Sequence, residues 1–192
     1  MGERQRHVLS PWFDVIEAEL HEGTVVSTWH FQDHPGAAIA VPVTSAGTIL
    51  VSSEYRISVD GVILEVPGGR VDPGETPEQA AVREMFEEIG ATCERAVFLG
   101  QFLNSPGSSN ELTHAYAALG AKVVSPHPGT VETTVEALVA KATEGNRADA
   151  STLTAVLLAQ AAGLVGPAHQ AQGGRGPLHG PEEMLATESA DA

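Results

Sequence analysis

The segment from Gly69 to Ala91, G-R-V-D-P-G-E-T-P-E-Q-A-A-V-R-E-M-F-E-E-I-G-A, constrains this chain more than any other. It encodes a turn, a helix and an acidic face in one piece. Thr76-Pro77-Glu78-Gln79 reads as a helix start: Thr76 can cap, Pro77 suits the first helical position, and Gln79 completes a capping box. The spacing predicts a helix running to about Ile89, with Gly90 as its C-terminal stop. Val82, Met85, Phe86 and Ile89 follow the i, i+3, i+4, i+7 pattern and form the predicted buried stripe. Glu84, Glu87 and Glu88 then fall together on the opposite side. Carboxylates that close repel one another, and a hard divalent cation relieves the repulsion. Arg83 is placed to neutralise part of the cluster and to orient one glutamate. Taken alone, E-x-x-E-E is also what a solvated acidic helix face looks like.

The bulk properties bound the rest. A chain of 192 residues, 42% hydrophobic and 18% charged, suits one globular domain with a sizeable core. A net charge of −15 argues against nonspecific binding to nucleic acid or to an anionic membrane surface. It also means that a polyanionic substrate must be attracted locally, by metal and by a few Arg or Lys. Cys93 is the only cysteine, so an intrachain disulfide is excluded and it reads as a packing residue. There is no run of 18 apolar residues, and Met1 to Arg6 lacks a signal-type apolar stretch. The expectation is a cytoplasmic protein without membrane association.

Alternation and turn signals predict short strands between about 8 and 34, with a turn at His21-Glu22-Gly23. Further strands are expected at Ala37 to Val43, Thr48 to Ser53, Gly61 to Val66, Ala96 to Phe102 and Thr113 to Leu119. Helices are expected at Thr133 to Thr143 and Ser151 to Leu164. A mixed sheet between helices, an α/β/α sandwich, is the natural packing. From Gly166 the composition shifts to Gly, Pro, His and acid, which reads as a disordered tail. The expected division is an N-terminal sheet over 1–35, a larger α/β domain over 36–165 and a tail over 166–192.

The Gly69–Ala91 segment resembles the Nudix box, G-x5-E-x7-R-E-U-x-E-E-x-G-U with U bulky and apolar, Ala91 being small for the final U. Features outside it resemble the ADP-ribose pyrophosphatase branch of the Nudix hydrolases. They are Glu54-Tyr55-Arg56, Leu64-Glu65-Val66-Pro67-Gly68-Gly69 and Asn104-Ser105-Pro106-Gly107-Ser108-Ser109-Asn110-Glu111. An N-terminal extension carrying Trp12 and Trp29 is the fourth. The resemblance implies a Nudix α/β/α sandwich plus a small antiparallel N-terminal sheet swapped between the subunits of a homodimer. It also implies Mg²⁺- or Mn²⁺-dependent hydrolysis of ADP-ribose, to AMP and ribose 5-phosphate, or of a related nucleoside diphosphate sugar.

What the resemblance implies for single residues follows the same motifs. Glu84 and Glu88 would hold metal, Glu87 would add a ligand or act through water, and the Gly68 carbonyl would complete the coordination. Glu75 would orient the site together with Arg83. Arg56 would fork two phosphate oxygens, the alternative being an ion pair with Glu65 or with the acidic helix. Ser105, Gly107 and Glu111 would meet the terminal ribose or hold the attacking water, although Pro106-Gly107 alone also reads as a type II turn. Trp12 and Trp29 would sandwich a base or pack in the dimer core.

Departures from the family pattern bear on the proton acceptor and the substrate. The region Ser125 to Glu132 is short where relatives carry a glutamate-rich loop, and Glu132 is its only carboxylate. Glu132, His127 or a box glutamate must then serve as general base. Glu54 for the family's Gln, and Gly68 for its Ala, fit a different pyrophosphate substrate. Two alternatives stay open: hydrolysis of another nucleotidylated biosynthetic intermediate, and a non-catalytic nucleotide-sensing domain, against which the intact glutamate set argues.

Overall fold

A computed structural model of the chain describes residues 2–144 and 147–166. All but the first residue of the expected tail lies outside the described residues. The capping signals act as read. In α1 (Pro77–Ile89) the Thr76 hydroxyl accepts from the Gln79 N–H at 3.2 Å, and Gln79 Oε1 accepts from the Thr76 N–H at 2.9 Å. Gly90 ends the helix in the left-handed region at φ 62°, its N–H donating to the Phe86 carbonyl.

The strands in chain order are β1 (Arg4–Ser10), β2 (Phe13–Glu22), β3 (Val25–Asp33), β4 (Ala37–Val43), β5 (Ile49–Arg56), β6 (Gly61–Glu65) and β7 (Gly68–Arg70). After α1 come β8 (Ala91–Thr92), β9 (Arg95–Leu103), β10 (Leu112–Leu119), β11 (Lys122–Val123) and β12 (Thr130–Thr133), then α2 (Val135–Thr143) and α3 (Ala150–Ala161). The first three form a separate antiparallel sheet in the order β1-β2-β3. The central sheet runs β12-β5-β4-β10-β9, with β6 paired to β5 and β7 to β4. It is mixed, because β10 lies parallel to β4 while its other pairings are antiparallel. Alternation along β4 divides the core. Ala38 and Ala40 face α1 with Leu50, Met85 and Ile89. Ile39 and Val41 face α2 and α3 with Val51, Leu138 and Val156. The architecture is therefore the expected mixed α/β sandwich with a small antiparallel N-terminal sheet. Among the described residues no helix is long and apolar enough to cross a membrane.

Two expectations are corrected. The buried stripe of α1 consists of Ala80, Ala81, Met85 and Ile89, whereas Val82 is 36% and Phe86 49% exposed. Ala81, Met85 and Ile89 form an i, i+4, i+8 row, and the two alanines let the helix lie close on β4. Weighting only large apolar residues rotates the stripe toward the wrong side. The Ser125–Glu132 stretch is also not all loop. Its last residues form β12, an edge strand in register with β5, with Glu132 opposite Leu50.

Gly90 anchors that stretch to α1. The Val124 and Ser125 N–H groups both donate to its carbonyl, and a Cβ on Gly90 would fall 1.5 Å from the Ser125 carbonyl oxygen. Gly90→Ala combines a left-handed backbone with a backbone clash. It should lower unfolding free energy by about 2–4 kcal/mol, read from urea denaturation.

Candidate active site

Strand order builds one end of the central sheet into a cleft. β4 begins at Ala37, which pairs with Arg70 of β7, and β5 runs back to end at Arg56. Arg56, Glu65 and the Gly68–Arg70 backbone therefore meet at the same edge, beside α1. The cleft between them has a volume of about 450 Å³, and His34, Asn104, Glu111 and Asp149 complete its walls.

The two glycines at its floor have no room for a side chain. A Cβ on Gly69 would lie 2.2 Å from Glu84 Oε1, so the absent side chain lets that carboxylate sit on the backbone. A Cβ on Gly68 would lie 2.3 Å from Ile39 Cγ2. Ile39 and the Ala38 carbonyl oxygen, 2.8 Å from the same point, thus favour glycine at this position. The Gly68 N–H donates to Glu88 Oε2 at 3.1 Å.

Arg83 organises the acidic face. Its Nε and Nη2 grip Glu75 Oε1 and Oε2, each at 2.9 Å. Nη1 donates to Glu84 Oε1 at 2.8 Å and Glu87 Oε2 at 3.0 Å, and Nη2 donates to the Arg70 carbonyl at 3.0 Å. The fork and the Asp72 N–H hold the Glu75 carboxyl below its ordinary pKa. Glu75 thus anchors the guanidinium that reaches Glu84 and Glu87. Glu88 is the opposite case. Burial pushes its carboxyl up to about 7, and the charges of Glu84 and Glu54 add to the rise against the Gly68 N–H and Arg56.

Glu84 and Glu88 lie against the Gly68-Gly69 backbone, whereas Glu87 is more than half exposed and turned to Arg83. Among the described residues no three Asp, Glu, His or Cys side chains converge tightly enough to hold a metal ion as they stand. The donor set still suits a hard cation. It is all oxygen, and a half-buried Glu88 crowded by other carboxylates lacks the positive charge that would keep it ionised.

Arg56 shows the ion-pair alternative. Its Nε lies 2.9 Å from Glu65 Oε1, and its Nη2 also donates to Glu65. It still faces the cleft. Trp12 and Trp29 stand apart, so one chain forms no sandwich of the two. The Trp12 carbonyl accepts from Arg70 Nη2 at 2.5 Å, and the Arg70 guanidinium lies 6.0 Å from the centre of the exposed Trp12 ring. Trp29 lines a second groove of about 420 Å³ with Phe31, Leu103, Pro106 and Gly107.

The Asn104–Glu111 loop is strapped to the end of β3. The Gln32 N–H donates to the Ser108 carbonyl at 2.8 Å, and Asn110 bridges Asp33 and the His34 N–H. Gly107 does not adopt the left-handed φ that a type II turn requires; instead the Ser108 and Ser109 N–H groups both donate to the Ser105 carbonyl. Ser105 Oγ pairs with Ser108 Oγ at 2.7 Å. Glu111 faces the cleft, its Oε1 fixed by Asn104 at 2.9 Å and Thr113 at 3.1 Å.

Neither expected base outside the box reaches the cleft. The Glu132 carboxylate accepts from the Thr48 hydroxyl at the β4–β5 turn, the opposite end of the sheet from Arg56 and Arg70. At roughly 3.3 Å per residue, β4 alone separates the two ends by about 20 Å. His127 is engaged through Nδ1 with the Glu88 carbonyl at 3.0 Å, where it satisfies the last turn of α1. Sequence reasoning missed Arg70, Asn104, His34 and Asp149 as cleft residues. Arg70, a cation within the box segment of a strongly acidic chain, and Asn104, at the head of the Asn104–Glu111 loop, carried usable signals.

The NUDIX domain family model matches residues 33–153. The methanol dehydrogenase activator of Bacillus methanolicus is 36% identical over 106 residues, covering 55% of this chain and 57% of that protein. The ADP-ribose pyrophosphatase of Bacillus subtilis is 36% identical over 104 residues, 54% of this chain and 56% of that protein. The chain thus spans little more than half the length of the curated relatives it matches. A solved structure described as an ADP compounds hydrolase has the same fold, with a TM-score of 0.67, at 20% identity over 85% of this chain and 95% of that one.

Proposed function

Since this chain belongs to the NUDIX family, we propose that it hydrolyses the pyrophosphate bond of ADP-ribose or a closely related nucleoside diphosphate sugar. The observation that carries this reading is the cleft itself. Two box glutamates lie against the Gly68-Gly69 backbone, and that backbone lines the cleft together with Arg56 and Arg70. The similarity to an ADP-ribose pyrophosphatase supports the substrate class. Glu84 and Glu88, with the Gly68 carbonyl and with Glu87 at the rim, are the residues that would hold Mg²⁺ or Mn²⁺. When bound, such a cation supplies charge neutralisation for the diphosphate and activation of water.

The remaining work falls to the chain. Arg56 exchanges part of its Glu65 pairing for diphosphate oxygens, which its planar fork fits, and stabilises the charge that develops on them. Arg83 keeps Glu84 oriented through Glu75. Glu111, fixed by Asn104 and Thr113, helps hold the attacking water, with Ser105 and Gly107 shaping the loop around it. A box glutamate takes the proton of the attacking water, because Glu132 and His127 are held elsewhere. Trp12 beside Arg70 offers a stacking face for the base, and Trp29 lines the neighbouring groove. Exposed Val8, Leu9, Trp12, Val25, Val26 and Trp29 on the N-terminal sheet support a homodimer built through residues 1–35, with 36–165 as the hydrolase domain. A cytoplasmic location belongs to the same reading.

A second reading keeps the chemistry and changes the leaving group to another nucleotidylated intermediate. The position of Glu132 at the far end of the sheet favours it. Incubating the purified protein with Mg²⁺ and ADP-ribose, ADP-glucose, UDP-glucose, a CDP-alcohol and 8-oxo-dGTP separates the two. Preferential turnover of ADP-ribose is the expected result. Preferential turnover of another diphosphate conjugate selects the second reading.

A further inference from the structure

A smaller cleft of about 320 Å³ opens beside the first and shares Arg56, Glu65 and Asp149 with it. Its remaining walls include Ser58 and Val59 of the β5–β6 turn and Arg147 from the segment before α3. The chain has 10 Lys and Arg against 25 Asp and Glu, so two arginines lining one small cleft stand out.

The charges of this cleft are unequally matched. Arg56 is neutralised by Glu65. The Asp149 carboxylate caps α3, accepting from the Thr152 N–H at 2.7 Å and from the Ser151 hydroxyl. Arg147 is different. Its Nη1 donates to the Val59 carbonyl, a neutral group, and among the described residues no carboxylate pairs with it. One N–H pins the guanidinium at the cleft wall, and among the described residues its positive charge meets no carboxylate within ion-pair distance.

The direction of the cleft gives this charge a use. Trp12 and Arg70 suit a base at one end of the diphosphate cleft, while the Arg56 side leads to Arg147. The geometry points to Arg147, with Ser58 and Arg56, as the recognition point for a phosphate group on the non-nucleotide half of the substrate. This inference rests on reading the larger cleft as the diphosphate site. The substrate class becomes nucleoside diphosphate conjugates of a phosphorylated sugar or alcohol, and Arg147 is its specificity-determining residue.

Binding without turnover tests this. In EDTA, calorimetry compares ADP-ribose with ADP-ribose phosphorylated on its terminal ribose, against wild type, Arg147→Ala and Arg147→Gln. Wild type should bind the phosphorylated ligand about tenfold or more tightly, as a charge-assisted contact requires. Both variants should bind the two ligands equally. Arg147→Gln keeps a donor for the Val59 carbonyl and removes only the charge. Equal binding by wild type, or a preference retained in Arg147→Gln, would overturn the assignment and leave Arg147 as a strap on the turn. Hydrolysis is measured separately with Mg²⁺. A binding preference without hydrolysis of either ligand would support Arg147 and count against the pyrophosphatase reading alone.

Discussion

Glu88→Gln should lower kcat for pyrophosphate hydrolysis by about 10²–10³-fold while raising the heat stability of the metal-free protein at pH 8. The two effects share one cause. The Glu88 carboxyl is buried beside Glu84 and near Glu54, and its pKa rises from an ordinary 4.5 to about 7. Between those values the folded state binds a proton that the unfolded chain has lost. Stability from this group is therefore fully present below about pH 4.5 and falls as pH rises to 7 and above. At pH 8 the loss is at most about 3 kcal/mol, reduced by the partial exposure of the side chain. An uncharged amide of the same shape avoids it and still accepts from the Gly68 N–H. Thermal melts in EDTA should show the variant above wild type at pH 8 and level with it near pH 4. Mg²⁺ should raise the wild-type midpoint and leave the variant's almost unchanged. A variant that melts lower than wild type at pH 8 in EDTA would show that the carboxylate is stabilised by something other than a cation.

Arg83→Ala should be the most disruptive single change on the acidic face. It removes the acceptor-saturated guanidinium that holds Glu75, Glu84 and Glu87 and supports the Arg70 carbonyl. The expected loss is about 1–2 kcal/mol of unfolding free energy, below that of a fully buried network because the side chain remains 27% exposed. Activity should fall by about 10–100-fold through loss of Glu84 orientation. Arg83→Lys should not restore it, because a single ammonium cannot grip both Glu75 oxygens and Glu84 together. Urea denaturation and steady-state kinetics on both variants check this. Full activity in Arg83→Lys would mean that charge, and not the planar fork, is what the site uses.

The parts legible from sequence are those written in local chemistry. Thr76, Pro77, Gln79 and Gly90 specify α1 through contacts within a few residues, and each forms as read. Alternation and turn residues located β4, β5, β9 and β10 to within a few residues. The buried stripe of α1 was less legible because Ala80 and Ala81, weak as hydrophobic signals, are what allow close packing on β4. β12 was missed because Thr130–Thr133 follows Pro126, Pro128 and Gly129, and only pairing with β5 makes it a strand. The box supplied Gly69 and Arg70 of the cleft wall and the two glutamates that lie against the Gly68-Gly69 backbone. That Arg70 and Arg147 come to line two neighbouring clefts depends on where β7 and the segment before α3 arrive in space. The same holds for Glu132. It is the only carboxylate of its stretch, but its strand register carries it to Thr48 and away from the cleft.

The most direct test of the account is AMP release from ADP-ribose by purified wild type and Glu88→Gln, each with Mg²⁺ and with EDTA, resolved by chromatography. The account predicts AMP and ribose 5-phosphate in equal amounts from wild type with Mg²⁺, and at least a hundredfold less in the other three reactions. Equal rates in wild type and variant, or undiminished release in EDTA, would contradict the assignment of Glu84 and Glu88 as the centre of the reaction.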